Sequence, residues 1–191
     1  MNQMFIDTNV FTAYLLLSEI KKSKRIKKNL WKKYKKLEPS YKFILKIIKM
    51  KPHKKKKYRF MTSNLAISEI LNSLFDEAIC KRMSEDGLPL SSWATKKGHY
   101  MKLNLEKWET EQLDESITKF SQINNMELID EEYDFGLIAE LIFSFKLKTQ
   151  DSILFSTALK KECSYFITRD EQDFLDNKDL LTRIATIFGA S

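Results

Sequence analysis

The stretch Met4-Phe5-Ile6-Asp7-Thr8-Asn9-Val10-Phe11 decides how the rest of the chain is interpreted. Its first three residues are apolar and favour a strand, and they run directly into Asp7. Apolar residues at helical spacing begin at Val10, so the pattern is that of a strand, a turn and a helix. In open α/β sheets ligands gather beyond the carboxyl ends of the strands, which is where Asp7 would lie. The alternative is that Asp7 or Thr8 simply caps the following helix.

A similar pattern occurs far downstream in the chain. Phe166-Ile167-Thr168-Arg169-Asp170 again places an aromatic residue and an isoleucine shortly before an acid. Between the two copies, short apolar segments at 58–62 and 126–129 alternate with helical patterns. This alternation predicts an α/β fold with three layers (α/β/α), in which helices cover both faces of a mostly parallel sheet. If the first and fourth strands are neighbours, Asp7 and Asp170 meet at one edge of that sheet.

Local signals set the bounds of the remaining elements. Ser63 is a natural N-cap for a long helix over about 64–81. The breakers in 85–98 predict a loop, and a single helix is expected over about 99–123. A last strand is predicted over 183–188.

The basic residues are concentrated in one segment. The net charge is +7, yet residues 21–57 contain 18 Lys and Arg and one acid, Glu38, so the rest of the chain is acidic. Apolar residues at helical spacing on both sides of Pro39 predict a basic helical hairpin, with Ser40 capping its second helix. We interpret it as an insertion in a single domain over 1–191. The segment indicates a polyanion partner. Nucleic acid is favoured over a membrane surface, because the hairpin has few large apolar residues with which to enter a bilayer. The alternative is that its lysines are simply solvated.

Composition excludes several other classes of protein. A hydrophobic content of 43% with 12% aromatic residues argues against disorder. Cys80 and Cys163 lie far apart without metal-like spacing, so neither a disulfide framework nor a zinc site is predicted. No apolar segment approaches the roughly 20 residues that cross a bilayer, and a cytoplasmic location is expected. The four glycines form no phosphate-binding loop.

Acids that meet at one edge of the sheet imply a cation. Asp151, at the start of a helical pattern, would point into the same crevice as Asp7 and Asp170, although it is equally placed to cap its helix. Two charges about 4 Å apart repel by roughly 4 kcal/mol at an effective dielectric constant near 20. Oxygen ligands favour Mg²⁺ or Mn²⁺, whose bound water is a nucleophile suited to a phosphodiester. Together with the basic segment, this pattern predicts a nuclease.

The chain resembles the PIN-domain family of metal-dependent ribonucleases, which includes the VapC-type toxins of toxin–antitoxin pairs. The matching stretches are 5–10, 65–70, 151–158 and 167–174, in the order of the family. Periodicity alone places Glu69 opposite the apolar stripe of its helix, as an ordinary exposed glutamate. The resemblance instead implies metal ligands at Asp7, Glu69, Asp151 and Asp170, an auxiliary acid at Asp173, and supporting groups at Thr8, Asn9 and Ser68.

The predicted function is that of a Mg²⁺- or Mn²⁺-dependent endoribonuclease with four catalytic acids. These acids are Asp7, Glu69, Asp151 and Asp170. The predicted nucleic-acid contacts are Lys32, Lys33, Lys54, Lys55, Lys56, Lys57 and Arg169. The resemblance implies RNA as a partner and, for a toxin, an antitoxin protein and a homodimer. An RNA-processing nuclease, a non-catalytic RNA- or ribosome-binding module and a phospho-acceptor domain are the alternatives.

Overall fold

The strands form one four-stranded sheet in which every described pair is parallel. The computed structural model describes residues 2–22, 34–50, 57–123, 125–178 and 180. The strands are β1 (Asn2–Ile6), β2 (Tyr58–Ser63), β3 (Met126–Ile129) and β4 (Tyr165–Ile167), in the order β3-β2-β1-β4. The predicted pairing of the first strand with the fourth is confirmed, with Ile6 opposite Ile167. The predicted strand over 183–188 lies outside the described residues.

Helices occupy most of the chain between the strands. They are α1 (Thr8–Lys22), α2 (Glu38–Lys49), α3 (Asn64–Glu85), α4 (Trp93–Tyr100), α5 (Lys107–Ser121), α6 (Phe135–Phe143) and α7 (Thr149–Lys160). A 3₁₀ turn covers Leu90–Ser92, and a π-helical turn covers Glu171–Leu175. Within the described ranges, no helix combines the length and apolarity needed to cross a bilayer.

Alternating side chains on the strands divide the core into two faces. Phe5 and Met61 pack with Leu154 of α7. Ile6 and Phe60 pack on the other side with residues of α1, α2 and α3. Helices therefore cover both faces of the sheet, and the predicted three-layer α/β/α architecture is confirmed.

The described half of the basic segment is part of the core. Ile44 and Ile47 of α2 are 0% and 1% exposed and pack with residues of α1. The predicted cap is wrong, because Ser40 is buried inside α2 and Leu37 precedes the helix. Pro39 explains the earlier start. Backbone N–H groups in the first turn of a helix have no helical partner, so proline, which lacks an N–H, is tolerated there. The first helix of the predicted hairpin lies outside the described ranges apart from its end, as do Lys32, Lys33, Lys54, Lys55 and Lys56.

The helix that follows β2 begins as predicted, whereas the next elements differ from prediction. The Ser63 hydroxyl caps α3 by accepting a hydrogen bond from the Ala66 backbone N–H at 3.3 Å. The predicted loop contains α4, and the single predicted helix is interrupted before α5. A capping box starts α5: the Glu106 backbone N–H donates to the Glu109 carboxylate at 2.6 Å, and the Glu106 side chain accepts in return.

Candidate metal centre

Four acids from separate segments line one cavity at the carboxyl edge of the sheet. The cavity has a volume of about 390 Å³, and its walls include Asp7, Glu69, Asp151 and Asp170. Asp7 follows β1 and Asp170 lies beyond the end of β4, while Glu69 is on α3 and Asp151 lies in the first turn of α7. The two strand ends are neighbours because β1 and β4 pair in parallel. The cavity therefore occupies the position where ligands bind in α/β sheets.

Asp7 is the most deeply buried of these acids, with 2% of its surface exposed. Its Oδ2 accepts a hydrogen bond from the Thr168 hydroxyl at 2.7 Å. Burial raises the pKa of Asp7 to about 7; the hydrogen bonds from Thr168 and the Thr8 backbone lower this pKa, and the charges of Asp151 and Glu69 raise it. Because a carboxylate in this environment is disfavoured, a nearby cation would be needed to keep Asp7 fully ionised at neutral pH.

Thr168 connects the two strand ends. Its hydroxyl donates to Asp7 and accepts from Asn9 Nδ2 at 2.9 Å and from the Asp170 backbone N–H at 3.0 Å. These contacts use the donor and both acceptor positions of the hydroxyl. Asn9 therefore supports Asp7 through Thr168, while its Oδ1 accepts from the Arg169 backbone N–H at 2.9 Å. Sequence reasoning missed Thr168, although its position beside Asp7, one residue past the paired strands, was a usable signal.

Glu69 is held by Thr8 across the cavity. The Thr8 hydroxyl donates to Glu69 Oε2 at 2.5 Å, which ties the start of α1 to α3. Thr8 and Asn9 thus both support the acids, as the resemblance implies. Ser68 is not brought into the cluster: it is exposed, and its hydroxyl donates to the Asn64 carbonyl oxygen of its own helix at 3.3 Å.

Asp151, Asp170 and Asp173 form a closer group. One carboxylate oxygen from each lies within 4.8 Å of the others. Oxygen ligands of one octahedral Mg²⁺ stand about 3–4 Å apart, so small side-chain movements would suit a shared ion. Burial raises the pKa of Asp151 to about 6; Lys148 lowers this pKa, and Glu69 and the other two aspartates raise it. We call these three residues the aspartate triad.

Lys148 places an ammonium group beside the aspartate triad. Its Nζ lies 2.8 Å from Asp173 Oδ2, 3.8 Å from Asp170 Oδ2 and 3.9 Å from Asp151 Oδ2. The side chain is 72% exposed. Lys148 is also the N-cap residue of α7, so the capping alternative for Asp151 is wrong. Lys148 is not among the residues predicted from the sequence, in which its nearness to Asp151 is a weak signal.

The donor set fits a hard divalent cation. Every candidate ligand atom is a carboxylate oxygen, which Mg²⁺ and Mn²⁺ prefer. A cation at this position would also offset the burial of Asp7 and Asp151, which otherwise disfavours their charged forms. Two further acids at the same edge of the sheet are used differently, because Asp130 and Glu131 bond to the start of α3.

Two of the predicted nucleic-acid contacts lie in the described ranges, and they are at opposite ends of the strands. Arg169 is partly buried and lines the cavity. Burial lowers its pKa from the ordinary value, and Glu171 raises it. Lys57 is exposed and precedes β2, so a strand of six residues, roughly 20 Å long, separates it from the carboxyl edge.

Comparison with known proteins assigns neither a family nor an activity. No family model matches the chain. A protein of Archaeoglobus fulgidus, described as uncharacterized, is 29% identical over 91 residues, which cover 48% of this chain and 73% of that protein. The resemblance to PIN-domain ribonucleases therefore stays a prediction.

Proposed function

We propose that the chain is a Mg²⁺- or Mn²⁺-dependent endoribonuclease. The observation that carries the proposal is the convergence of Asp7, Glu69, Asp151 and Asp170 on one cavity. A chance group of surface acids would not include a carboxylate that is 2% exposed, since an aspartate is rarely buried to this extent without a partner. Element ends and metal chemistry indicate Asp7, Asp151 and Asp170 from the sequence, and the resemblance to PIN-domain ribonucleases adds Glu69.

In this proposal the acids divide into metal ligands and a group that acts on water. Asp7, Asp151 and Asp170 hold the metal with Asp173 as an auxiliary ligand, and Glu69 holds the metal or orients the attacking water. When bound, the metal would lower the pKa of a coordinated water and offset charge on the phosphate. Hydrogen bonds from Thr168 and Thr8 hold Asp7 and Glu69 in position beforehand.

RNA enters the proposal through the resemblance and through the 18 Lys and Arg of residues 21–57. Such a segment would bind phosphates without reading sequence. A cytoplasmic toxin with an antitoxin partner and a homodimer, and an RNA-processing nuclease, are two versions of the same proposal. They share the metal centre and differ in the RNA that is cleaved and in the protein partners.

Asp7→Asn tests the proposal. The amide keeps the size of the side chain and removes the charge that would bind metal, so we expect cleavage of a mixed RNA pool to fall more than about a hundredfold. The variant should fold, because the charge that it removes is disfavoured by burial. Asp114→Asn, at an exposed position on α5, is the matched control and should cleave like wild type. Full activity of Asp7→Asn, together with activity that survives excess EDTA, would exclude this function.

Lys148 favours a second candidate function, a non-catalytic RNA- or ribosome-binding module. Its ammonium lies within 3.9 Å of all three carboxylates of the aspartate triad and neutralises part of their charge without any metal. Such a protein would bind RNA with a steep dependence on salt concentration and would cleave it with neither Mg²⁺ nor Mn²⁺. The cleavage assay therefore separates the two candidates.

A further inference from the structure

Within the described ranges, two cationic side chains line the cavity, and their surroundings differ. Lys148 is surrounded by the aspartate triad. The guanidinium of Arg169 makes no ion pair within 4.0 Å and no hydrogen bond to any residue in the described part of the chain, and Glu171 acts on it only through its charge. The five N–H donors of this guanidinium therefore have no protein acceptor among the described residues. Arg169 therefore has donors available for a ligand in the cavity.

The backbone of Arg169 is fixed relative to the deepest acid. Its N–H donates to Asn9 Oδ1 at 2.9 Å, and Asn9 Nδ2 donates to the Thr168 hydroxyl at 2.9 Å. That hydroxyl donates in turn to Asp7 at 2.7 Å. The same network thus positions the start of the Arg169 side chain and the Asp7 carboxylate, and Asp170 follows directly in the chain.

The carboxylates that line the cavity would repel an incoming phosphate group. Among the described residues four carboxylates line the walls, and one divalent ion together with Lys148 would offset only three of their four charges. A phosphodiester that approaches the acids is therefore repelled unless a further cation faces it. The planar fork of a guanidinium matches two oxygens of a phosphate group, which a point charge such as an ammonium does not.

We propose that Arg169 binds a backbone phosphate of RNA beside the phosphate that is cleaved. This inference rests on the proposed function, because it takes RNA as the substrate. The ligand group is a phosphodiester, so the contact holds the chain in position without reading the base sequence.

Three variants test the contact: Arg169→Gln, Arg169→Lys and Arg59→Gln. Arg59 is the matched control because it lies near the amino-terminal end of β2, whereas the cavity lies beyond the carboxyl ends of the strands. It is also ion-paired with Glu127. Binding of short labelled RNAs of several sequences is measured by fluorescence anisotropy in EDTA, so that the RNA stays intact, over a range of salt concentrations. We expect Arg169→Gln to weaken binding about tenfold at low salt for every sequence. A plot of the logarithm of the association constant against the logarithm of the salt concentration has a negative slope, and Arg169→Gln should make it less steep by roughly 0.7. Arg169→Lys should be intermediate, and Arg59→Gln should bind like wild type.

The outcomes separate this inference from the proposed function. Thermal unfolding should show unchanged stability for Arg169→Gln, since the guanidinium makes no bond to the described residues. If Arg169→Gln binds RNA like wild type while wild type cleaves RNA with Mg²⁺, the contact is wrong and the nuclease stands. An equal loss for Arg59→Gln, or a loss confined to one sequence, also overturns the phosphate contact. If wild type neither binds nor cleaves RNA, both proposals are wrong.

Discussion

Lys148 is the residue whose surroundings a metal ion would change most. Its ammonium lies 2.8 Å from Asp173 and within 3.9 Å of the other two carboxylates of the aspartate triad. Because the side chain is 72% exposed, each contact contributes only about 0.2–1 kcal/mol. A divalent ion bound directly by the same oxygens interacts more strongly with them. Lys148 would therefore leave the triad on metal binding, and its displacement would lower the metal affinity.

Lys148→Met should tighten the binding of Mg²⁺ or Mn²⁺ by about three- to tenfold, since it removes the competing charge and keeps most of the length of the side chain. Isothermal titration calorimetry measures the change. Lys146→Met is the matched control, because Lys146 is exposed and its ammonium bonds to the Phe143 carbonyl oxygen rather than to an acid. Equal metal affinities for wild type and Lys148→Met would contradict the competition. If Lys148→Met and Lys146→Met gain affinity equally, the cause is the change in net charge and not the contacts of Lys148.

At the scale of elements, the sequence was most informative at the ends of strands. The meeting of Asp7 and Asp170 was predictable, because the change from apolar to acidic residues marks the end of each strand and parallel neighbours end at the same edge. The role of Thr168 was harder to predict, since Asp7 and Asn9 lie 161 and 159 residues away in the chain. The direction of the flexible Lys148 side chain follows no local pattern.

The helices between 85 and 123 were mispredicted because tertiary contacts determine them. Arg82 and Glu109 are 5% and 0% exposed, although periodicity assigns such residues to the surface. Arg82 Nε donates to Glu109 Oε1 at 2.8 Å, and a second guanidinium nitrogen donates to the Asn104 carbonyl oxygen at 3.1 Å. This buried pair joins α3 to α5 and to the segment before α5, where the predicted single helix is interrupted.

Arg82→Met should lower the free energy of unfolding by about 3–5 kcal/mol, because it leaves the buried charge of the Glu109 carboxylate without the cation that pairs with it, and the hydrogen bond from the Glu106 backbone N–H does not neutralise that charge. The double variant Arg82→Met/Glu109→Leu should recover much of this loss, since it removes the buried charge as well. Urea denaturation measures both, with Lys97→Met as the control for a more exposed pair, Lys97 with Asp76. Equal destabilisation in the single and double variants would show that lost packing, rather than the buried charge, is the cause.

At the scale of the whole molecule, the acids of the cavity link stability to pH. The pKa of Asp7 rises from 3.8 to about 7 on folding, and that of Asp151 from 3.8 to about 6. Between these values the folded protein keeps protons that the unfolded chain has released. The stability that these groups contribute is therefore fully present below about pH 4 and is lost as the pH rises to about 7. The slope reaches about 1.4 kcal/mol per pH unit for each group that is fully shifted.

In EDTA, the free energy of unfolding of wild type should therefore fall as the pH is raised from about 4 to about 7, relative to that of Asp7→Asn. Adding Mg²⁺ should restore stability most strongly at the upper end, because the ion binds the ionised carboxylates and favours the folded state by mass action. Urea denaturation at a series of pH values, with EDTA or Mg²⁺, measures both effects, and Asp114→Asn should keep both. If the stability of wild type and of Asp7→Asn depends on pH in the same way in EDTA, folding does not raise the pKa of Asp7 as its burial implies. A difference in EDTA that Mg²⁺ leaves unchanged would mean that the buried acids bind no metal, as expected for the RNA-binding module, in which Lys148 neutralises part of the charge of the aspartate triad.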